Sequence, residues 1–250
     1  MYYPSDVHQG ALLKLRYAIE NRSPAALLAG GWGSGKTLII RSLKRQLAEV
    51  NQPVVHLVFP QMPAAELLGY LAHELTGDVA VGGLHDTVRR IQRVLLDNAA
   101  AGNHAVVVVD EAHLLIEGGT LETLRLLLNF EHDGQPTFTL VLVGQPQLLV
   151  ALERQPNLEQ RLSVKCLLRA FTLEETMGYV THRLKTAGAT REIFTAKALM
   201  LVHEHANGNP QCINRICDLA LLVGFAEDRR QVGPEQIESV AGDLVLGKQG

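Results

Sequence analysis

Two short stretches hold residue types whose spacing could do chemistry on a phosphate. The first, AGGWGSGKTLIIRSL from Ala29 to Leu43, contains the pattern GxxxxGK[ST] between Gly30 and Thr37. Each part has a physical reason. Glycines reach φ > 0, which lets successive backbone N–H groups turn toward one anion. The Lys36 ammonium would meet the β- and γ-phosphates of a nucleotide, and the Thr37 hydroxyl would be a ligand of Mg²⁺. The predicted phosphate cradle is therefore Gly30, Gly31, Trp32, Gly33, Ser34, Gly35, Lys36, Thr37 and Leu38. A helix opening at its end adds the positive end of its dipole. The second stretch is AVVVVDEAHLL, residues 105 to 115. Its strand closes on two carboxylates, of which Asp110 would organise Mg²⁺ and Glu111 would polarise the water that attacks the γ-phosphate.

Such groups work only if strands and helices hold them, and the sequence supplies both. The apolar run AALLA at 25–29 predicts a buried strand before the glycines. Leu38, Ile39, Leu43 and Leu47 then recur at helical spacing. A helix over 10–21 precedes this strand. VVHLVF at 54–59 predicts the next strand, followed by helices over about 64–75 and 84–101 with the loose segment TGDVAVGG between them. Four consecutive valines predict a strand apolar on both faces, as at the centre of a parallel sheet. A helix over 121–130 and strands at 137–143 and about 163–171 complete an α/β pattern of five strands. Ligand chemistry in such a sheet belongs at the carboxyl ends of the strands. From Thr172 the strand signals stop. TLEE at 172–175 reads as a capping box, and helices follow from Thr195, Asn209 and Gly233. The predicted organisation is a nucleotide-binding core over 1–171 and a small all-helical domain over 172–250.

Composition narrows the classes. With 47% hydrophobic and 20% charged residues the chain is a globular protein with a sizeable core, neither disordered nor fibrous. A net charge of −3 gives no global reason for a nucleic-acid partner. The three cysteines, Cys166, Cys212 and Cys217, are too few for a disulfide framework or a four-ligand zinc site. They fit a reducing compartment, so the expected location is the cytoplasm. No apolar run reaches the length of a membrane span, so direct membrane insertion is not expected. His203-Glu-His205 lacks the HExxH spacing of a zinc site and reads as helix surface.

Taken together, LLAGGWGSGKT, VVVVDEAHLL, LRLLLNFE, LVLVGQPQL, QRL and ANGNPQCINRICDLALL resemble the AAA+ ATPases of the ExeA/GspA type, within a broader ORC- and TniB-like group. The resemblance runs from about His8 to Leu246. It implies a P-loop core with a five-stranded parallel sheet, a helical lid, ATP with Mg²⁺, and homo-oligomers in rings or filaments. By the same resemblance Gln145 takes the sensor place that aligns water and γ-phosphate. Arg161 takes that of an arginine finger reaching the neighbouring subunit. One departure stands out. The family's lid motif resembles GxPR, whereas here Gly208-Asn209-Pro210 is followed by Gln211, with Arg215 one helical turn on. A glutamine can hydrogen-bond a phosphate oxygen but cannot neutralise it. The leading expectation is an ATPase that assembles or remodels a protein partner of the secretion type. The alternatives are a DNA-binding regulator of transposition, TniB- or TnsC-like, and a slow nucleotide-dependent switch.

Overall fold

Burial on both faces decides which strands form the centre of the sheet. β1 (Ala25–Gly30), β3 (Ala105–Val109) and β6 (Phe138–Gly144) are buried at every position. The computed structural model describes residues 3, 5–49, 52–78 and 82–246. Residues 79–81 of the predicted loose segment lie outside it, as do 1–2, 4 and 247–250 at the outer ends of the two predicted domains. With β2 (Val54–Leu57) and β7 (Leu162–Leu168), the strands form a five-stranded sheet in the order β2-β3-β6-β1-β7. All its pairings are parallel. The P-loop strand and the acidic strand are thus separated by β6, whose own carboxyl end is Gly144.

Helices cover both faces. Leu27, Leu57, Val107, Val109, Leu140 and Leu142 pack with Leu67, Leu71, Ile91 and Leu95 of α3 (Ala64–Thr76) and α4 (Leu84–Ala100). The alternate residues, among them Ala26, Leu28, Val106, Val108 and Val143, are equally buried, with α2 (Lys36–Glu49) packed on β1 and β2. Each fully buried Val or Leu side chain contributes about 1.5–3 kcal/mol. α1 (Asp6–Glu20) starts four residues earlier than predicted, and α5 (Thr120–Leu127) stops three residues sooner.

Three further differences separate the structure from the predicted elements. β2 ends at Leu57, not Phe59. Its partner β3 pairs Leu57 with Val109, and the chain then turns away at Glu111, leaving Val58 and Phe59 exposed. A two-stranded hairpin, β4 (Glu131–His132) with β5 (Gln135–Pro136), was not predicted. It closes on Asp133 and Gly134, both at positive φ, the signature of an Asp-Gly turn. The short helices α6 (Gln147–Glu153) and α7 (Pro156–Glu159) also lie between β6 and β7 where none was predicted.

By compactness the chain divides into two units, Gln9–Gly31 with Lys36–Leu168, and Met1–His8 with Trp32–Gly35 and Arg169–Gly250. The second is built on α8 (Leu173–Thr186), α9 (Ala196–Ala206), α10 (Pro210–Ala226) and α11 (Pro234–Leu246). Its core includes Phe171, Val180, Phe194, Val202, Ile213, Ile216 and Ile237. The capping box of α8 is formed: Thr172 Oγ1 accepts from Glu175 N, and the Glu175 carboxylate accepts from Thr172 N. β7 stops at Leu168 instead of Phe171 because the Phe171 backbone is engaged elsewhere. Its N–H donates to Gly208 O at 2.8 Å. His203, expected at the surface, is half-buried and hydrogen-bonded to Thr176.

Candidate functional site

The glycine-rich turn joins β1 to α2, so the unsatisfied N–H groups of the first turn of α2 lie at the end of the loop. Gly33 (φ +70) and Gly35 (φ +96) occupy the left-handed region, whereas Gly30 and Gly31 do not. Gly30 is instead the last residue of β1. The reason for glycine at 35 is also more specific than an anion alone. A Cβ there would sit 2.6 Å from His8 Nε2. That nitrogen donates to Ser34 O at 2.8 Å, while the Ser5 hydroxyl donates to His8 Nδ1 at 2.7 Å. Burial lowers the His8 pKa, so the neutral ring is the form held against the loop. A Cβ at Gly33 would meet Gln211 Cβ at 2.7 Å and Asn209 Oδ1 at 2.8 Å. Asn209 caps α10, accepting from the N–H groups of Gln211 and Cys212, and its Nδ2 donates to Trp32 O at 2.6 Å. The Trp32 side chain is exposed.

Lys36 is buried, and its ammonium donates to Gly30 O at 2.9 Å and Gly31 O at 3.0 Å. Burial lowers its pKa, and the carboxylates of Glu111 and Asp110 act in the opposite direction. The two motifs predicted to work together are therefore in one another's electrostatic field. Thr37 is exposed and Leu38 half-buried on the first turn of α2.

Asp110 and Glu111 are adjacent in sequence but differ in environment. Asp110 follows β3, donates its N–H to Leu57 O, and is buried. Its Oδ1 accepts from Glu111 N at 2.9 Å, and its Oδ2 lies 3.8 Å from His56 Nε2. Glu111 then adopts φ 50, ψ 33, a left-handed conformation that costs a non-glycine residue on the order of 1 kcal/mol. This turn brings the Glu111 side chain out to 45% exposure while Asp110 stays at 8%. Its Oε2 lies 3.2 Å from His113 Nδ1 in the 3-10 turn Ala112–Leu115. The other ring nitrogen of His113 is 3.1 Å from Gln145 Nε2, just beyond β6.

Two arginines were also predicted for the site. The Arg161 guanidinium donates to Leu128 O at 2.8 Å and to Asn129 Oδ1 at 2.6 Å, both on its own chain. Arg215 is exposed, and the atoms nearest Gly33 belong to Gln211 and Asn209. Sequence reasoning missed His8, His56, His113 and the Asn209–Trp32 bond. Two signals were present: His56 interrupts an otherwise apolar strand, and His113 completes DEAH two residues after Glu111.

These residues fit a polyphosphate with a divalent cation. An ammonium that, among the described residues, is held only by carbonyls, a turn with two left-handed glycines at a helix N-terminus, and a buried Ser34 hydroxyl with no hydrogen-bond partner among those residues suit phosphate oxygens. A buried carboxylate beside a half-exposed one suits a metal-organising group next to a water-polarising one.

Known proteins resemble this chain in sequence and in fold. A family profile described as an AAA domain matches residues 20–152. General secretion pathway protein A of Aeromonas hydrophila is 37% identical over 251 residues, covering 98% of this chain and 44% of that protein. The chain thus spans less than half the length of that relative. Among solved structures, the Aeropyrum pernix ORC2 protein, in ADPNP–ADP complexes, superposes with a TM-score of 0.70 at 16% identity, over 96% of this chain and 69% of that one. Cdc6p from Pyrobaculum aerophilum gives 0.70 at 16%, over 97% and 69%. The RuvB Holliday junction branch migration motor of Thermotoga maritima gives 0.62 at 18%, over 96% and 68%. At these identities the structural likeness is one of fold.

Proposed function

The chain belongs to the AAA domain family of P-loop ATPases, and from that premise we propose that it binds ATP with Mg²⁺ and hydrolyses it. The observation that carries this reading is the buried Lys36 ammonium lying in the field of Asp110 and Glu111. Lys36, released from Gly30 O and Gly31 O, neutralises the β- and γ-phosphates. The loop N–H groups from Gly33 to Leu38 orient them. Thr37 and Asp110 would hold the Mg²⁺, which when bound would supply positive charge to offset that of the phosphates. Glu111, turned outward by its left-handed backbone, takes the proton of the attacking water, and Gln145 aligns that water. Gln211, beside Gly33, replaces the lid arginine with a neutral hydrogen-bonding group.

The wider role we assign is that of an oligomerising ATPase that drives assembly or remodelling of a protein partner of secretion type. The relation to General secretion pathway protein A over nearly the whole of this chain supports it. Among the described residues no helix is long and apolar enough to cross a membrane. One observation favours a second reading, a slow nucleotide switch. Arg161, the arginine needed in trans, is engaged on its own chain.

Glu111→Gln tests the hydrolytic role. The variant is expected to bind a fluorescent ATP analogue with wild-type affinity while turnover drops by about 10²-fold or more. Undiminished hydrolysis by this variant removes Glu111 as the base.

A further inference from the structure

Between Glu111 at the end of β3 and Gln145 at the end of β6 lies one ring. We infer that His113 is a positioning residue that couples the two, so that the hydrogen bonding of Gln145 sets where the Glu111 carboxylate points. This rests on the hydrolytic reading above.

The geometry supplies the lever. The His113 side chain is 7% exposed and lies between the two, with Nδ1 3.2 Å from Glu111 Oε2 and Nε2 hydrogen-bonded at 3.1 Å to Gln145 Nε2. Gly144 permits the close approach. A Cβ there would lie 3.2 Å from His113 N, 3.5 Å from its Nδ1 and 2.9 Å from Leu148 Cδ2. The proton arithmetic fixes the tautomer. An amide nitrogen only donates, so the ring Nε2 accepts from Gln145 and Nδ1 carries the hydrogen. Turning the Gln145 amide over would put the proton on Nε2 and aim a bare Nδ1 at carboxylate lone pairs, which is repulsive.

The Nδ1 contact is within reach but off the line of a hydrogen bond, so this buried nitrogen has no hydrogen-bond partner among the described residues. A rotation of the half-exposed Glu111 carboxylate completes it. Glu111 thus has two positions, one bonded to His113 and one released toward water.

Two measurements on the full chain test this. In ¹⁵N-histidine NMR, His113 is expected as the Nδ1–H tautomer, with Nδ1 perturbed by Glu111→Gln and Nε2 by Gln145→Ala. An Nε2–H tautomer overturns the coupling. In steady-state kinetics, His113→Ala is expected to lower kcat at least about tenfold. KM and the ATP dissociation constant should stay within about twofold. His113→Asn, whose Nδ2 replaces only the Nδ1 donor, should recover part of kcat. Gln145→Ala should then lower kcat by a smaller factor in His113→Asn than in the wild type, because only its part in aligning water is left to lose. Additive losses, or a fall in affinity matching the fall in kcat, overturn it. A wild-type protein that binds ATP without turnover sinks the hydrolytic reading instead. The NMR result, which needs no turnover, then decides the coupling alone.

Discussion

His104 carries a titratable group whose protonation the fold opposes. It precedes β3, is buried, and donates through Nε2 to Thr139 Oγ1, whose hydroxyl in turn donates to Ser23 O. Burial, helped by the nearby positive charge of Arg22, pushes its pKa down to about 4. The unfolded chain therefore binds this proton near pH 6.5 and the folded chain only near pH 4. The contribution is complete above pH 6.5 and is lost as pH falls through 4. It amounts to about 3 kcal/mol over that interval. Urea unfolding as a function of pH should show stability falling between 6.5 and 4, with part of the slope removed in His104→Gln. An equal slope in both proteins would exclude His104 as its source. His8, also lowered by burial, adds in the same direction. At this scale the residues that spacing along one stretch of chain singles out as candidates are Lys36, Thr37, Asp110 and Glu111. His113 and His56 are not singled out in this way, because each meets its neighbour, Gln145 or Asp110, only once the strands pair. Arg161 was read from resemblance alone, and a linear pattern carries no trace of its bonds to Leu128 and Asn129.

Elements were more legible than their ends. The valine run, the P-loop strand and the capped helices announced themselves through periodicity and capping residues, because those signals are local. The end of β2 depended on where β3 stops. The end of β7 depended on Gly208, some forty residues ahead in the chain. The turn before α10 shows how such a junction is built. Asn207 (φ 48) ends α9, Gly208 (φ 66) follows, and Asn209 caps α10 before Pro210. A Cβ at Gly208 would lie 2.2 Å from Phe171 O, in a conformation side chains rarely adopt. Gly208→Ala should therefore destabilise the helical unit by roughly 2 kcal/mol or more. Gly10→Ala, within α1 with nothing near its Cβ, should stabilise by up to about 1 kcal/mol. Thermal melts of the two variants make the comparison, and equal effects would show that the Phe171 contact does not govern the turn.

For the whole molecule, the α/β architecture and the helical second unit followed from the alternation of strand and helix signals. The inclusion of Trp32–Gly35 with the helical unit did not, because it arises from His8, Asn209 and Gln211 meeting that loop. Function at this scale turns on whether subunits complete one another. Arg161 must leave Leu128 O and Asn129 Oδ1 to act on a neighbour, so hydrolysis should be slow when subunits are dilute. The most direct measurement is ATP turnover per subunit, with Mg²⁺, as a function of protein concentration and with or without duplex DNA. The expected result is Mg²⁺-dependent turnover whose rate per subunit rises with concentration and does not change with DNA. A further rise with DNA would favour the transposition-regulator role over partner remodelling. Nucleotide binding with no turnover at any concentration would contradict the assignment of this chain as an ATP-hydrolysing enzyme.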